Sequence, residues 1–200
     1  MSQFLKLGFL ASRNGSSARA ILGAIEAGSL NAEPRLVVSN NRTAPVLEFA
    51  AARAVPTLCI PTQSDPEAAD GALRDALQAA GVELVVLSGY LRQLGPQTLA
   101  RYRGRVLNIH PGPLPDFGGH GMYGRRVHEA VIAAGVAESG ACIHLVDEEY
   151  DRGPVVARRA VEVRPDDTAE TLEARVTALE PGFFVETLQR IADGRLKLPA

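Results

Sequence analysis

The chain of 200 residues is long enough to bury a core, and with 46% hydrophobic and 22% charged residues it excludes a largely disordered protein. A formal net charge of −2, with only the short basic stretches RYRGR and GRR, argues against nucleic acid as a partner. The N-terminal apolar segment is too short and too soon interrupted for a signal peptide or a membrane span, and Cys59 and Cys142 lack metal-ligand spacing and read as reduced thiols of a cytosolic protein.

In chain order, FLKLGFLAS predicts a strand that turns at RNGSS, and ARAILGAIEAG has helical spacing with a closing Gly. RLVVSN is a β-branched strand stopped by Asn40 and Asn41, and the Ala-rich helix APVLEFAAARA ends before Pro56. TLCI, the helix DPEAADGALRDALQAAG, the apolar strand ELVVLSG, a helical turn or two between Leu91 and Tyr102, and the strand RVLNI continue the alternation. Strands that are nearly all apolar, alternating with helices, predict a mostly parallel sheet buried on both faces: a doubly wound α/β domain over residues 1–200. Beyond NIHPGPLP come the Gly-rich DFGGHGMYG, a helix in RRVHEAVIAAG, and the runs GACIHLVDE and PVVARRAVEV. The link between those two runs is too short for a parallel crossover, which predicts a C-terminal antiparallel hairpin. From Asp167 to about Ala192 the spacing predicts a long helix, bent or broken at Pro181.

Ligands of open α/β sheets bind outside the carboxyl ends of the strands. Those ends supply SRNGSS, SNN, SGYLRQL and NIHPGPLP. The first is a turn opening a helix, suited to a phosphate; taken alone, a Ser/Asn cap is the simpler reading. Asn108 and His110 are two apart on a strand and so face one region, with Pro111 and Pro113 fixing the chain after them. An amide that stabilises an oxyanion beside an imidazole that moves a proton suits acyl transfer to an amine. Asp151 lies in the turn before Gly153 and Pro154; near His110 it would raise the imidazole pKa and hold its tautomer. His120, His128 and His144 are more simply surface or core residues. No Ser or Cys has a nucleophile's setting, and no ligand cluster calls for a metal. The Gly-rich residues 118–124 suit either a lid or a rigid turn.

Together NIHPGPLP, LVVLSGYLRQL, DEEYDRGPVV and SRNGSS resemble the formyltetrahydrofolate-dependent formyltransferases, over nearly the whole chain. The resemblance implies that family's Rossmann-like fold and a catalytic set of Asn108, His110 and Asp151. It implies 10-formyltetrahydrofolate as co-substrate, the amine of glycinamide ribonucleotide as acceptor, and a cytoplasmic monomer or homodimer of purine biosynthesis with no metal and no membrane or nucleic-acid partner. Gly15, Ser16 and Ser17 become the phosphate loop, Glu180 an acid that contacts the amine substrate, and Leu91, Arg92, Gln93, Leu94 and Asn108 the folate-binding residues. The pterin would lie against residues 91–94 and the backbone of residues 147–151. Members acting on methionyl-tRNA or hydrolysing the cofactor carry extra domains, which the length does not provide for. The family's opening usually reads Ser-Gly-x-Gly-Ser-Asn; here Arg13 stands at the first Gly and Ser17 at the Asn, and residues 116–125 are altered. Those departures keep two alternatives open: another small amine, such as an amino sugar nucleotide, or a catalytically silent nucleotide-binding domain.

Overall fold

Strands with no polar alternation must be covered on both sides, and the computed structural model, which describes residues 4–199, shows how this chain does so. The elements run β1 (Leu5–Leu10), α1 (Ser16–Glu26), β2 (Ala32–Ser39), α2 (Pro45–Ala51), β3 (Thr57–Cys59), α3 (Pro66–Ala79), β4 (Leu84–Leu87), α4 (Pro96–Arg101), β5 (Val106–His110), α5 (Arg125–Ala134), β6 (Glu138–Leu145), β7 (Val155–Glu162) and α6 (Ala169–Ala192). The strands form one sheet in the order β3-β2-β1-β4-β5-β6-β7. The first five are parallel; β6 is antiparallel to β5, and β7 to β6, as the short hairpin link requires. The N-terminal apolar run is therefore an interior strand, paired on both edges.

Side-chain alternation sorts the core into two layers. Phe9, Val37, Val86 and Leu107 pack with α1, α2, α5 and α6; Leu10, Val38, Val85 and Val106 pack with α3 and α4. The order reverses at β1, since β2 and β3 lie on one side of it and β4 and β5 on the other. This switch point opens a crevice at the carboxyl ends of β1 and β4.

One expectation is corrected. The last helix is not broken at Pro181: α6 runs from Ala169 to Ala192 with that proline inside it. Pro181 has no N–H for the Thr177 carbonyl four residues back, but packing holds the helix on both sides of it. Leu172 and Val176 before it and Phe183, Phe184 and Leu188 after it are all buried in the same layer. A reciprocal cap between Thr168 and Thr171 starts the helix, with Arg175 paired to Asp167 beside it.

Candidate active site

β5 ends in the residues that the sequence singled out. Val106, Asn108 and His110 alternate onto one side of the strand, and the antiparallel register places Asn108 opposite His144 and His110 opposite Cys142. Asn108 Nδ2 lies 3.1 Å from His144 Nε2, while His144 Nδ1 lies 2.9 Å from the Leu145 carbonyl. A carbonyl only accepts, so Nδ1 carries the proton and Nε2 accepts from the Asn108 amide. One N–H of that amide is thereby fixed and the other is oriented with it.

His110 is almost fully buried, with Nε2 2.7 Å from the Phe117 carbonyl and Nδ1 3.4 Å from Asp151 Oδ2. By the same argument Nε2–H donates to Phe117, which leaves Nδ1 as the nitrogen that gains or loses a proton. Asp151 Oδ1 is also 3.4 Å from His144 Nε2, and Oδ2 accepts from the Gly119 N–H at 3.0 Å. Asp151 is held at φ 57°, a left-handed conformation that Asp and Asn tolerate better than most residues. The loop carrying Phe117 and Gly119 passes so close that a Cβ on Gly118 would come within 2.9 Å of Asp151 Cβ and 2.3 Å of Leu114 Cδ2. The backbone can approach there only as glycine.

Burial and charge compete at this pair. Burial lowers the His110 pKa; Asp151 and the Phe117 carbonyl push it up and His144 pushes it down again, for a net value below the usual histidine range. Asp151 thus acts in the expected direction without prevailing. At Asp151 burial works upward, but a proton on His144 or His110, together with the Gly119 N–H, outweighs it and holds the carboxyl below its ordinary value. His110 is therefore neutral and Asp151 ionised at neutral pH.

Two cavities lie in the helix layers; neither is lined by Asn108, His110, His144 or Asp151, and the first reaches the end of β5 through Ile109 and Pro111. One of about 340 Å³ is bounded by Gly15, Ser16 and Ser17 at the start of α1, by His128 of α5, and by Thr177 and Glu180 of α6. The expected phosphate loop and the expected acid are thus brought together. Gly15 caps α1 at φ 61°, with Val46 so near that a Cβ there would meet it at 2.8 Å. Ser88 Oγ accepts from the Ala18 N–H, whereas Ser16 and Ser17 N–H have no intrahelical acceptor. Ser12 ties three strand ends together: its Oγ donates to Asn40 Oδ1 and accepts from the Leu91 N–H, and its own N–H donates to the Gly89 carbonyl. Burial pushes the Glu180 carboxyl up to about 7.

The second cavity, of about 450 Å³, lies in the other helix layer, among Leu73 of α3, Leu99 of α4, Tyr90, Gln93, Leu94 and Glu148. Asp70 of α3 helps close it by accepting from the N–H groups of Gln97 and Thr98 at the start of α4. Gln93 Nε2 donates to the Glu148 carbonyl, and the rings of His120 and Tyr150 meet edge-on at 5.9 Å. The expected folate residues divide: Gln93 and Leu94 line this cavity, Leu91 lines the first, and Arg92 and Asn108 line neither among the described residues. His144 joins the cluster of Asn108, His110 and Asp151 unanticipated, because only the strand register reveals that it faces Asn108. Among the described residues no group of His, Cys, Asp and Glu could hold a metal ion, and no helix is long and apolar enough to cross a membrane.

The formyl transferase family matches residues 5–188. The chloroplastic phosphoribosylglycinamide formyltransferase of Arabidopsis thaliana is 39% identical over 96% of this chain, which spans 67% of that relative's length. The phosphoribosylglycinamide formyltransferase of Bacillus subtilis is 34% identical over 93% of this chain and 94% of its own. Among solved structures, the phosphoribosylglycinamide formyltransferase of Coxiella burnetii superposes with a TM-score of 0.88 at 36% identity, covering 99% of this chain and 92% of the other.

Proposed function

Because the chain belongs to the formyl transferase family, we propose that it transfers the formyl group of 10-formyltetrahydrofolate to the amine of glycinamide ribonucleotide, a step of purine biosynthesis. The observation that carries this reading is the cluster of Asn108, His110, His144 and Asp151 at the end of β5, in a sheet with one cavity in each of its helix layers. The cavity at α1 takes the ribonucleotide, its phosphate accepting from the N–H groups of Ser16 and Ser17, which donate no competing intrahelical bond. The cavity among α3, α4 and residues 90–94 takes the folate.

In this reading the amine nitrogen attacks the formyl carbon, and the carbonyl oxygen becomes an oxyanion stabilised by the Asn108 N–H that His144 leaves oriented. The attacking nitrogen gives up a proton to His110 Nδ1, where Asp151 meets the new charge at once. His110 then returns the proton to N10 of the folate as the C–N10 bond breaks, which releases tetrahydrofolate and the formamide. A neutral His110 is the form that starts this sequence, and the buried ring is in that form at neutral pH. The protein acts as a monomer or homodimer in a reducing compartment such as the cytoplasm, which suits the free thiols of Cys59 and Cys142.

The test is a steady-state assay that follows tetrahydrofolate release from 10-formyltetrahydrofolate with glycinamide ribonucleotide and without any amine. Release only in the presence of the ribonucleotide is expected. Release without amine would make the chain a hydrolase, and no release in either tube would remove this substrate.

A further inference from the structure

The chemistry above uses His110 and His144 but not the third buried histidine. His128 is only 1% exposed and sits on the buried side of α5 with Val127 and Val131. Neither Nδ1 nor Nε2 has a hydrogen-bond partner. Its imidazole lines the cavity at α1, in company with Thr177 and Glu180 of α6. A buried polar atom without a partner is penalised by roughly the free energy of a lost hydrogen bond, and this ring carries two. If the position only filled space, Phe or Leu would do so without that penalty. Burial, opposed in part by Glu173 and reinforced by His110, keeps the ring below the usual histidine pKa and hence neutral.

A neutral imidazole presents one donor and one acceptor. That pair matches a hydroxyl, which both donates and accepts; a phosphate, which at neutral pH chiefly accepts, would satisfy only half of it. The Thr177 hydroxyl and the Glu180 carboxyl extend the same preference, whereas Arg13 and the first turn of α1 favour an anion. The cavity thus asks for one ligand with a phosphate and hydroxyls. We infer that His128 is a substrate-contacting residue that hydrogen-bonds a hydroxyl of the phosphorylated sugar held between the first turn of α1 and α6. This deepens the proposed function and rests on its amine substrate being a sugar phosphate.

The experiment compares wild type, His128→Phe and His128→Gln in two arms: calorimetric titration with ribose 5-phosphate, and turnover with glycinamide ribonucleotide. His128→Phe is expected to weaken ribose 5-phosphate about tenfold, the worth of one hydrogen bond. It raises KM for the ribonucleotide by a similar factor and leaves KM for 10-formyltetrahydrofolate unchanged. His128→Gln, which keeps a donor and an acceptor, restores most of the loss. Without ligand His128→Phe melts no lower than wild type, because it removes an unpartnered ring, and a purely structural role would not give that split. Equal sugar affinity in all three proteins, no binding by wild type, or a loss matched by a lower melting temperature and a raised KM for both substrates overturns the inference. Ribose 5-phosphate binding that depends on His128, without ribonucleotide turnover, upholds it and removes the proposed amine instead.

Discussion

Asp151 lies within 3.4 Å of two histidine nitrogens and keeps a left-handed backbone conformation, so the choice of substitution decides what a test reads. Asn has the same shape and the same tolerance of that conformation. Asp151→Asn removes the charge alone, and kcat is expected to fall by about 10²- to 10⁴-fold with the ribonucleotide KM within about threefold. Steady-state kinetics checks this, and an equal loss of rate and affinity would count against the assigned role. At His110 the native pKa is lowered, so the unfolded chain binds more protons between that value and 6.5. Stability should therefore decline as pH falls from 6.5 towards the native pKa, and kcat/KM, which reports the native ring, should fall only as pH passes below that native value. Glu180 has the opposite sign. Its carboxyl rises from 4.5 to about 7, so the native state holds the extra proton, and the resulting stability is present below pH 4.5 and lost as pH rises through 7. Glu180→Gln should gain on wild type across that range by on the order of 2 kcal/mol, read as the difference in denaturation midpoints at pH 5 and pH 8. The strand period of two made Asn108 and His110 legible together in the sequence. His144 was not legible, because its proximity depends on the register of β5 with β6, which no local pattern encodes. Nor was the sign at His110, since the depth of burial outweighs the one carboxylate a motif can reveal.

At the scale of elements, the strands were legible because burial on both faces removes polar alternation, and the turns because Gly, Asn and Pro punctuate them. Pro181 is the place where a local rule loses to packing. The sequence carries a helix breaker, yet the apolar residues on either side of it belong to one continuous face, and that face docks against α1 and α5. Local propensity is a sum over a few residues at most, whereas the buried face spans the whole helix. The proline still carries a cost, because the Thr177 carbonyl lacks its in-helix donor. Pro181→Ala should restore that bond and raise stability by ~1–3 kcal/mol, visible as a higher melting temperature. A lower one would mean that the ring itself packs better than the bond it removes. The same substitution bears on the site, since Thr177 and Glu180 both line the cavity at α1.

For the whole molecule, the doubly wound topology gives the proposed reactants separate sides of the sheet. The cavity at α1 belongs to the layer of α1, α5 and α6, the other to the layer of α3 and α4, and the segment after β4 divides its side chains between them, Leu91 to the first and Tyr90, Gln93 and Leu94 to the second. A transfer between two bound molecules needs them to meet at one edge, and in the proposed reaction the end of β5 is that edge. This arrangement was only half legible: the order of elements implied the crevice, but the division of residues 91–94 between two cavities depends on where that segment crosses the sheet. If the layers are independent, substitutions in them should separate kinetically. Gly15→Ala strains a backbone at φ 61° and presses on Val46, and it should raise KM for the ribonucleotide about tenfold while sparing the folate. Leu99→Ala, which removes apolar surface from the other cavity, should raise KM for 10-formyltetrahydrofolate several-fold and spare the ribonucleotide, the worth of about one methylene of ligand contact at about 0.8 kcal/mol. The two lie in different layers without shared partners, so the double variant should show the product of the single effects. A larger or smaller combined effect, measured in the same assay, would mean that the segment after β4 couples the cavities instead of partitioning them.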